Sequence, residues 1–197
     1  MTGKSLTKNI FLVHLQYLLY MSLTPRTAPW SLQRLYAESF PKEERFPFLF
    51  LKALARTKKS RFLAYYDGDT LAGMSFTIEG KDMVFLLYLA VSPAVQSRGF
   101  GTEILSYLKE LYKKPLTLNA EPLDSAAENS PERERRFAFY ERNGFSDTGY
   151  ELVDSKMTYA VLSDAEVFSA AEYSEALLGL HPRGIGMPEI RKRGEKR

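Results

Sequence analysis

Apolar positions along this chain follow two rhythms, and the order in which they alternate predicts most of its elements. Between residues 30 and 40, Leu32, Leu35, Tyr36 and Phe40 recur at helical spacing until Pro41 stops the run. Phe46, Leu49, Phe50 and Leu54 repeat that spacing over residues 43–56; Pro47 falls inside the pattern, so the regular helix is expected to begin near it. Strand formers then take over. Residues 61–66 and 70–78 read as an antiparallel pair joined by Asp67-Gly68-Asp69, and the chain turns again at 79–82. Residues 83–91 are apolar almost throughout, as a central strand covered on both faces should be. Helical spacing returns at Ile104, Leu105, Leu108, Leu111 and Tyr112. Residues 116–121 (LTLNAE) then read as a strand, 122–134 as an acidic, proline-containing loop, and 135–143 as a helix stopped by Gly144. A hairpin over 145–153 and 156–162 and an amphipathic helix over 164–180 complete the pattern, with no internal repeat.

The junction between the central strand and the helix that follows it carries the first chemical signal. Gln96, Ser97, Arg98, Gly99, Phe100, Gly101 and Thr102 lie where a helix begins. Two glycines there let a ligand approach backbone N–H groups that have no partner inside the helix, and the positive end of the helix dipole favours a phosphate. Arg98 can add a charge-assisted contact and Thr102 a hydroxyl. The spacing excludes two familiar phosphate loops. No Lys-Ser or Lys-Thr follows the second glycine, as a P-loop requires, and no third glycine completes a dinucleotide fingerprint. Gln-x-x-Gly-x-Gly remains, and by itself it is equally compatible with a plain strand-to-helix turn.

Composition narrows the chemistry. A chain of 197 residues with 45% hydrophobic and 26% charged residues fits one soluble globular domain. The absence of cysteine excludes a disulfide scaffold, a thiol nucleophile and a Cys-ligated metal. His14 and His181 sit near opposite ends, so no metal site is expected. The net charge of +3 owes much to the closing RKRGEKR, which is expected to be a solvated tail, with no nucleic acid as partner. Residues 10–23 form an apolar run shorter than the roughly 20 residues of a membrane span, with no Ala-x-Ala cleavage site after it. A buried strand ending near Leu23 is expected there rather than a membrane segment. An initiation at Met21 is the competing reading.

Residues 91–102 (VSPAVQSRGFGT) resemble the acyl-CoA pyrophosphate loop of the GNAT superfamily of N-acetyltransferases, and residues 139–145 (FYERNGF) are similar to the superfamily's next motif, a tyrosine-bearing helix that ends at Gly-Phe. The resemblance covers about residues 25–163. It divides the chain into an N-terminal extension and first strand (1–24), an acetyltransferase domain (25–163), and a C-terminal helix and basic tail (164–197). It implies a mixed α/β fold, a mostly antiparallel sheet splayed between two parallel strands with helices on both faces. Acetyl-CoA would be the co-substrate, its pantetheine arm bonded by the backbone near Leu89, Ala90 and Val91 and its pyrophosphate by residues 96–102.

The same resemblance places Tyr140 at the general-acid position, where it would protonate the departing thiolate. Many relatives carry a glutamate base on the central strand, where this chain has Tyr88. The nearest carboxylate expected at the gap is Glu121. Arg133 stands where relatives often have an asparagine that touches the CoA arm, and Asn129 is nearby. The expected function is direct acetyl transfer to an amine, a small molecule before a protein N-terminus, by a cytoplasmic monomer or homodimer. A noncatalytic CoA-binding module and a membrane- or partner-associated protein that uses the N-terminal apolar run are the alternatives.

Overall fold

The computed structural model describes residues 23–154, 157–180 and 187–195. Among the described residues eight strands form one sheet in the order β1-β2-β3-β4-β5-β7-β6-β8. They are β1 (Leu23–Thr27), β2 (Ser60–Asp67), β3 (Thr70–Glu79), β4 (Val84–Val91), β5 (Leu116–Ala120), β6 (Ser146–Val153), β7 (Thr158–Ser163) and β8 (Glu189–Lys192). Every pairing is antiparallel except β4 with β5. Pro25 is accommodated because β1 lies at the sheet edge, where a missing N–H costs no ladder bond.

The parallel pair is the feature that shapes the molecule. Its register runs Val84–Leu116, Phe85–Thr117 and Leu86–Leu118, and then stops. At that point the ladder between β3 and β4 passes from Thr77 opposite Leu86 to Phe76 opposite Tyr88, leaving Leu87 as an extra residue. A bulge of this kind bends its strand and sharpens the local twist. Beyond it β4 and β5 part, and the backbone of residues 87–91 has no strand partner on the β5 side.

Two cores lie on opposite faces of the sheet. One gathers α1 (Leu32–Ser39), α2 (Phe48–Leu54) and α5 (Ala170–Leu178) against Phe62, Met74, Phe76 and Phe85. The other gathers α3 (Phe100–Tyr112) and α4 (Ser130–Arg142) against Tyr65, Val84, Leu86 and Leu118. Four residues of the α3 stripe, Ile104, Leu105, Leu108 and Tyr112, are buried as the periodicity requires, at about 1.5–3 kcal/mol for each large apolar side chain taken from water. Leu111 packs partly against the same core. This is the mixed α/β architecture with helices on both faces that the resemblance implies.

Several boundaries differ from the sequence reading. Helix α4 starts at Ser130 rather than 135, because Pro131 sits in its first turn, where a missing N–H breaks no helical bond. The segment 164–180 is helical only over α5, whose Ser169 caps it by accepting a hydrogen bond from the Glu172 N–H. The C-terminal basic segment is not a free tail. Glu189–Lys192 pairs antiparallel with β6, and Arg193 donates to Asp147 at 2.8 Å. Basic charge reads as solvated in a sequence, but here Asp147 and Glu151 on β6 receive it. The strand expected over residues 10–23 lies, up to residue 22, outside the described residues.

Candidate active site

The loop between β4 and α3 is built to leave donors open. Pro93–Val95 forms a short 3-10 turn, Ser97 adopts φ +64° and Gly99 φ +85°, and α3 begins at once. A left-handed residue other than glycine is uncommon, and its presence beside Gly99 marks a constrained loop. The first intrahelical bond runs from the Glu103 N–H to the Gly99 carbonyl at 3.1 Å. The amides of Phe100, Gly101 and Thr102 therefore precede the ladder and have no helical acceptor. The Gln96 side chain donates to the Val91 carbonyl at 3.5 Å, tying the loop to the strand end.

Three residues of this loop behave differently from the expectation. The Phe100 ring is buried in the core, so only its backbone can meet a ligand. A Cβ on Gly101 would lie 2.9 Å from the Phe139 ring; Gly101 is thus needed for α3 to approach α4, whereas Gly99 is needed for its φ. Arg98 pairs with Asp67 at 2.9 Å and lies 4.8 Å over the Phe100 ring, so its guanidinium is already shared with the β2–β3 turn.

Where β4 and β5 part, a cavity of about 840 Å³ opens, walled by the segment between α1 and α2, by both strands and by α4. Leu89, Ala120, Glu121 and Tyr140 all line it. Tyr140 is nearly buried between the rings of Phe139 and Phe145. Burial pushes its phenol up to about 12, against a lesser opposing effect of the Arg136 charge, so the hydroxyl keeps its proton throughout the neutral range. No side chain among the described residues takes that hydroxyl as partner.

Glu121 reaches the gap as expected, but not as a free base. Arg136 donates to it at 2.8 Å, Arg133 lies 3.3 Å away, and the Asn129 amide donates at 3.2 Å. Burial acts to raise its pKa, yet the hydrogen bonds from Arg136 and Asn129 and the two guanidinium charges outweigh that and hold the carboxyl below its ordinary range. A carboxylate so stabilised is a weak proton acceptor and a strong anchor. Arg133 also donates to the Asn129 side chain at 2.7 Å and to the Pro122 carbonyl at 2.9 Å. Both residues thus bind the β5–α4 connection together.

Sequence reasoning missed Glu44. It lies on the 3-10 turn Lys42–Glu44 after α1, lines the cavity, and has its carboxyl pushed up by burial and then by the Glu121 charge. Tyr88 seats that turn. Its hydroxyl donates to the Glu44 carbonyl at 2.7 Å and accepts from the Phe46 N–H at 3.1 Å. The bulge at Leu87 turns Tyr88 toward the α1–α2 face, where its ring meets Phe40 at 4.7 Å and Tyr36 at 5.1 Å. A bulge cannot be read from apolar periodicity, so no sequence signal pointed from Tyr88 to Glu44. Among the described residues, no group of three or more His, Asp or Glu is arranged to hold a metal, and no helix is long and apolar enough to cross a membrane.

The sequence profile of the acetyltransferase (GNAT) family matches residues 29–145. Comparison with curated proteins gave no match. Among solved structures, a putative GNAT-family acetyltransferase from Bacteroides thetaiotaomicron superposes with a TM-score of 0.65 at 21% identity, covering 83% of this chain and 99% of its own. An aminoglycoside 6'-N-acetyltransferase complexed with coenzyme A gives 0.56 at 16%, covering 71% and 95%. Naa50 of Arabidopsis thaliana, in complex with the bisubstrate analogue CoA-Ac-MVNAL, gives 0.53 at 16%, covering 74% and 99%.

Proposed function

Because the chain belongs to the acetyltransferase (GNAT) family, we propose that it is an N-acetyltransferase that moves an acetyl group from acetyl-CoA directly to an amine. The observation that carries this reading is the parting of β4 and β5. Among the described residues it leaves residues 87–91 without a strand partner on the β5 side, beside a cavity that Tyr140 lines with a protonated hydroxyl that takes no side-chain partner. That edge suits the amides and carbonyls of a pantetheine arm, and the amides of residues 100–102 suit a pyrophosphate. Bound there, acetyl-CoA supplies an acetyl group activated as a thioester. Leu89, Ala90 and Val91 would hold the arm through their backbone. Gln96, Ser97, Gly99, Gly101 and Thr102 shape or contact the phosphate end, and Arg98 contributes charge shared with Asp67.

Tyr140 holds a proton on Oη for the sulfur. As the acceptor nitrogen bonds to the carbonyl carbon and the C–S bond breaks, that proton passes to sulfur and the phenolate regains one from the new amide nitrogen. Glu121, fixed by Arg133, Arg136 and Asn129, orients the β5 side of the gap rather than taking the proton. Walls on both faces of the sheet favour a small amine over a protein N-terminus as acceptor.

Calorimetry with acetyl-CoA tests the reading. Gly99→Trp places a side chain at φ +85° on the phosphate loop and should weaken binding at least about tenfold, with the circular dichroism spectrum retained. Equal affinity in wild type and variant removes the basis of the proposal. Tight binding without thiol release for any amine would instead indicate a CoA-binding module.

A further inference from the structure

The last paired residues of the two parallel strands are Leu86 and Leu118, so Asn119 is the first residue of β5 beyond the point where they part. It lines the cavity, and alternation along β5 turns its side chain to the face that carries α1, α2 and α5, away from Leu118 and Ala120, which pack in the α3–α4 core. Tyr173 of α5 meets it there, with its hydroxyl 2.6 Å from Asn119 Oδ1. That separation decides which end of the amide faces the tyrosine. Hydrogen bonds between two oxygens span about 2.5–3.0 Å and those from an amide nitrogen about 2.7–3.2 Å, so the hydroxyl donates to Oδ1.

Tyr173 is itself held in place. It is fully buried, its ring edge-on to Phe85 at 5.2 Å and tilted against Phe168 at 5.9 Å. With Oδ1 committed to it, the Asn119 Nδ2 group points elsewhere and takes no partner among the described residues. No fully buried side-chain nitrogen or oxygen among those residues goes unpaired, so Nδ2 is open to the cavity rather than sealed in the core. The cavity wall on this face is otherwise apolar, with Phe85, Leu152, Leu177 and Leu180. An apolar wall with one fixed polar group orients a ligand through that group. Leu152, Tyr173, Leu177 and Leu180 all follow residue 145, so this wall lies outside the segment that the family profile matches.

We propose that Asn119 is a specificity-determining residue whose Nδ2 donates a hydrogen bond to an uncharged carbonyl oxygen of the acceptor, so that the acceptor is an amine with a carboxamide or similar carbonyl on a short carbon chain. This rests on the reading of the chain as an amine acetyltransferase. The phosphate loop and Tyr140 belong to the α3–α4 side of the sheet, which leaves the Asn119 side to the acceptor. An ammonium has no lone pair for Nδ2. A carboxylate does, but Phe85, Leu152, Leu177 and Leu180 offer nothing to offset its loss of water. A neutral carbonyl meets both conditions. Tyr173 is a positioning residue: by occupying Oδ1 it keeps the donor end of the amide toward the cavity. An alkylamine that fills the same space leaves Nδ2 unpaired, which is what discriminates against it.

Thiol release from acetyl-CoA with 3-aminopropanamide and 3-methylbutylamine tests the proposal, because the two probes share length and branching and differ in the carbonyl. The wild-type enzyme should use the amide with a kcat/KM about tenfold above the alkylamine, the worth of one well-placed hydrogen bond. Asn119→Asp keeps an acceptor for Tyr173 but turns the open donor into an acceptor, and should reduce that ratio at least about tenfold. Tyr173→Phe releases the amide to rotate and should reduce the ratio about threefold. Comparing the ratio across enzymes cancels the intrinsic reactivities of the two amines, and a loss of folded enzyme lowers both rates alike. Equal use of the two amines by the wild type, or a ratio that survives both variants, overturns the proposal. So does an Asn119→Asp enzyme whose kcat falls by the same factor for both amines, since the donor then serves the thioester oxygen. If acetyl-CoA binds by calorimetry but neither amine releases thiol, the carbonyl assignment fails and the acetyl-CoA reading stands. If acetyl-CoA does not bind, the reading beneath it fails.

Discussion

Replacing Tyr140 by phenylalanine separates catalysis from packing at one atom. The ring lies between Phe139, at 5.2 Å, and Phe145, at 5.7 Å, and both contacts survive the substitution. Among the described residues the hydroxyl has no side-chain partner, so removing it strands no buried donor or acceptor there, and stability should change by less than about 1 kcal/mol. The proton that the hydroxyl would deliver is lost. General acid catalysis is worth about 100-fold to 10,000-fold, and the lower bound corresponds to about 2.7 kcal/mol of transition-state stabilisation. Single-turnover thiol release should therefore fall at least 100-fold while the thermal midpoint and acetyl-CoA affinity hold. The pH profile gives an independent sign. Tyr140 must be protonated to act, and burial lifts its pKa to about 12, so its ionisation should cause no falling limb below about pH 10. An ordinary tyrosine, near 10, would already begin to lose activity there. A Tyr140→Phe enzyme within threefold of wild type would refute the acid role, as would a falling limb near pH 8–9 that the substitution abolishes.

Other perturbations probe the supports of the site. Gly101→Leu should destabilise the protein by about 1–3 kcal/mol by driving into the Phe139 ring, and Phe139→Ala should recover part of that loss in a double-mutant cycle read by denaturant melts. Glu121 has a depressed carboxyl pKa, so its stabilising effect is present above the ordinary carboxylate pKa and is lost as pH falls through the folded value. Glu121→Gln should therefore cost about 2 kcal/mol at pH 7 and make the thermal midpoint less sensitive to acid; an unaltered acid sensitivity would refute the ion-pair argument. Arg98→Gln should weaken acetyl-CoA binding about fivefold by calorimetry, and Asp67→Asn should tighten it, because the carboxylate neutralises part of that guanidinium.

The course of the chain was largely legible in its sequence, because each element announces itself locally. Apolar periodicity located α3 and the strand before it, and Asp67-Gly68-Asp69 located the β2–β3 hairpin turn. Errors fell where local signals are ambiguous. Pro131 looked like a loop residue and proved to be a first-turn residue of α4, and the basic C-terminus looked solvated until Asp147 and Glu151 appeared opposite it. Gly99 and Gly101 read alike, yet one serves backbone conformation and the other the Phe139 ring.

By itself the sequence pointed to the family, through two short motifs each confined to one stretch of chain: Val91 to Thr102 leading into α3, and Phe139 to Phe145 at the end of α4. Only the tertiary structure decided how each carboxylate at the gap is held. Glu121 was nearest in the expected register, but Arg133 and Arg136, 12 and 15 residues further along the chain, converge on it and lower its affinity for a proton. Glu44, 44 residues before Tyr88, is brought to the gap because a one-residue bulge at Leu87 turns that tyrosine toward its turn. The physical reason is one of range: backbone preference and amphipathic pattern act over a few residues, whereas the proton affinity of a buried carboxyl is set by whatever charges the folded chain places beside it.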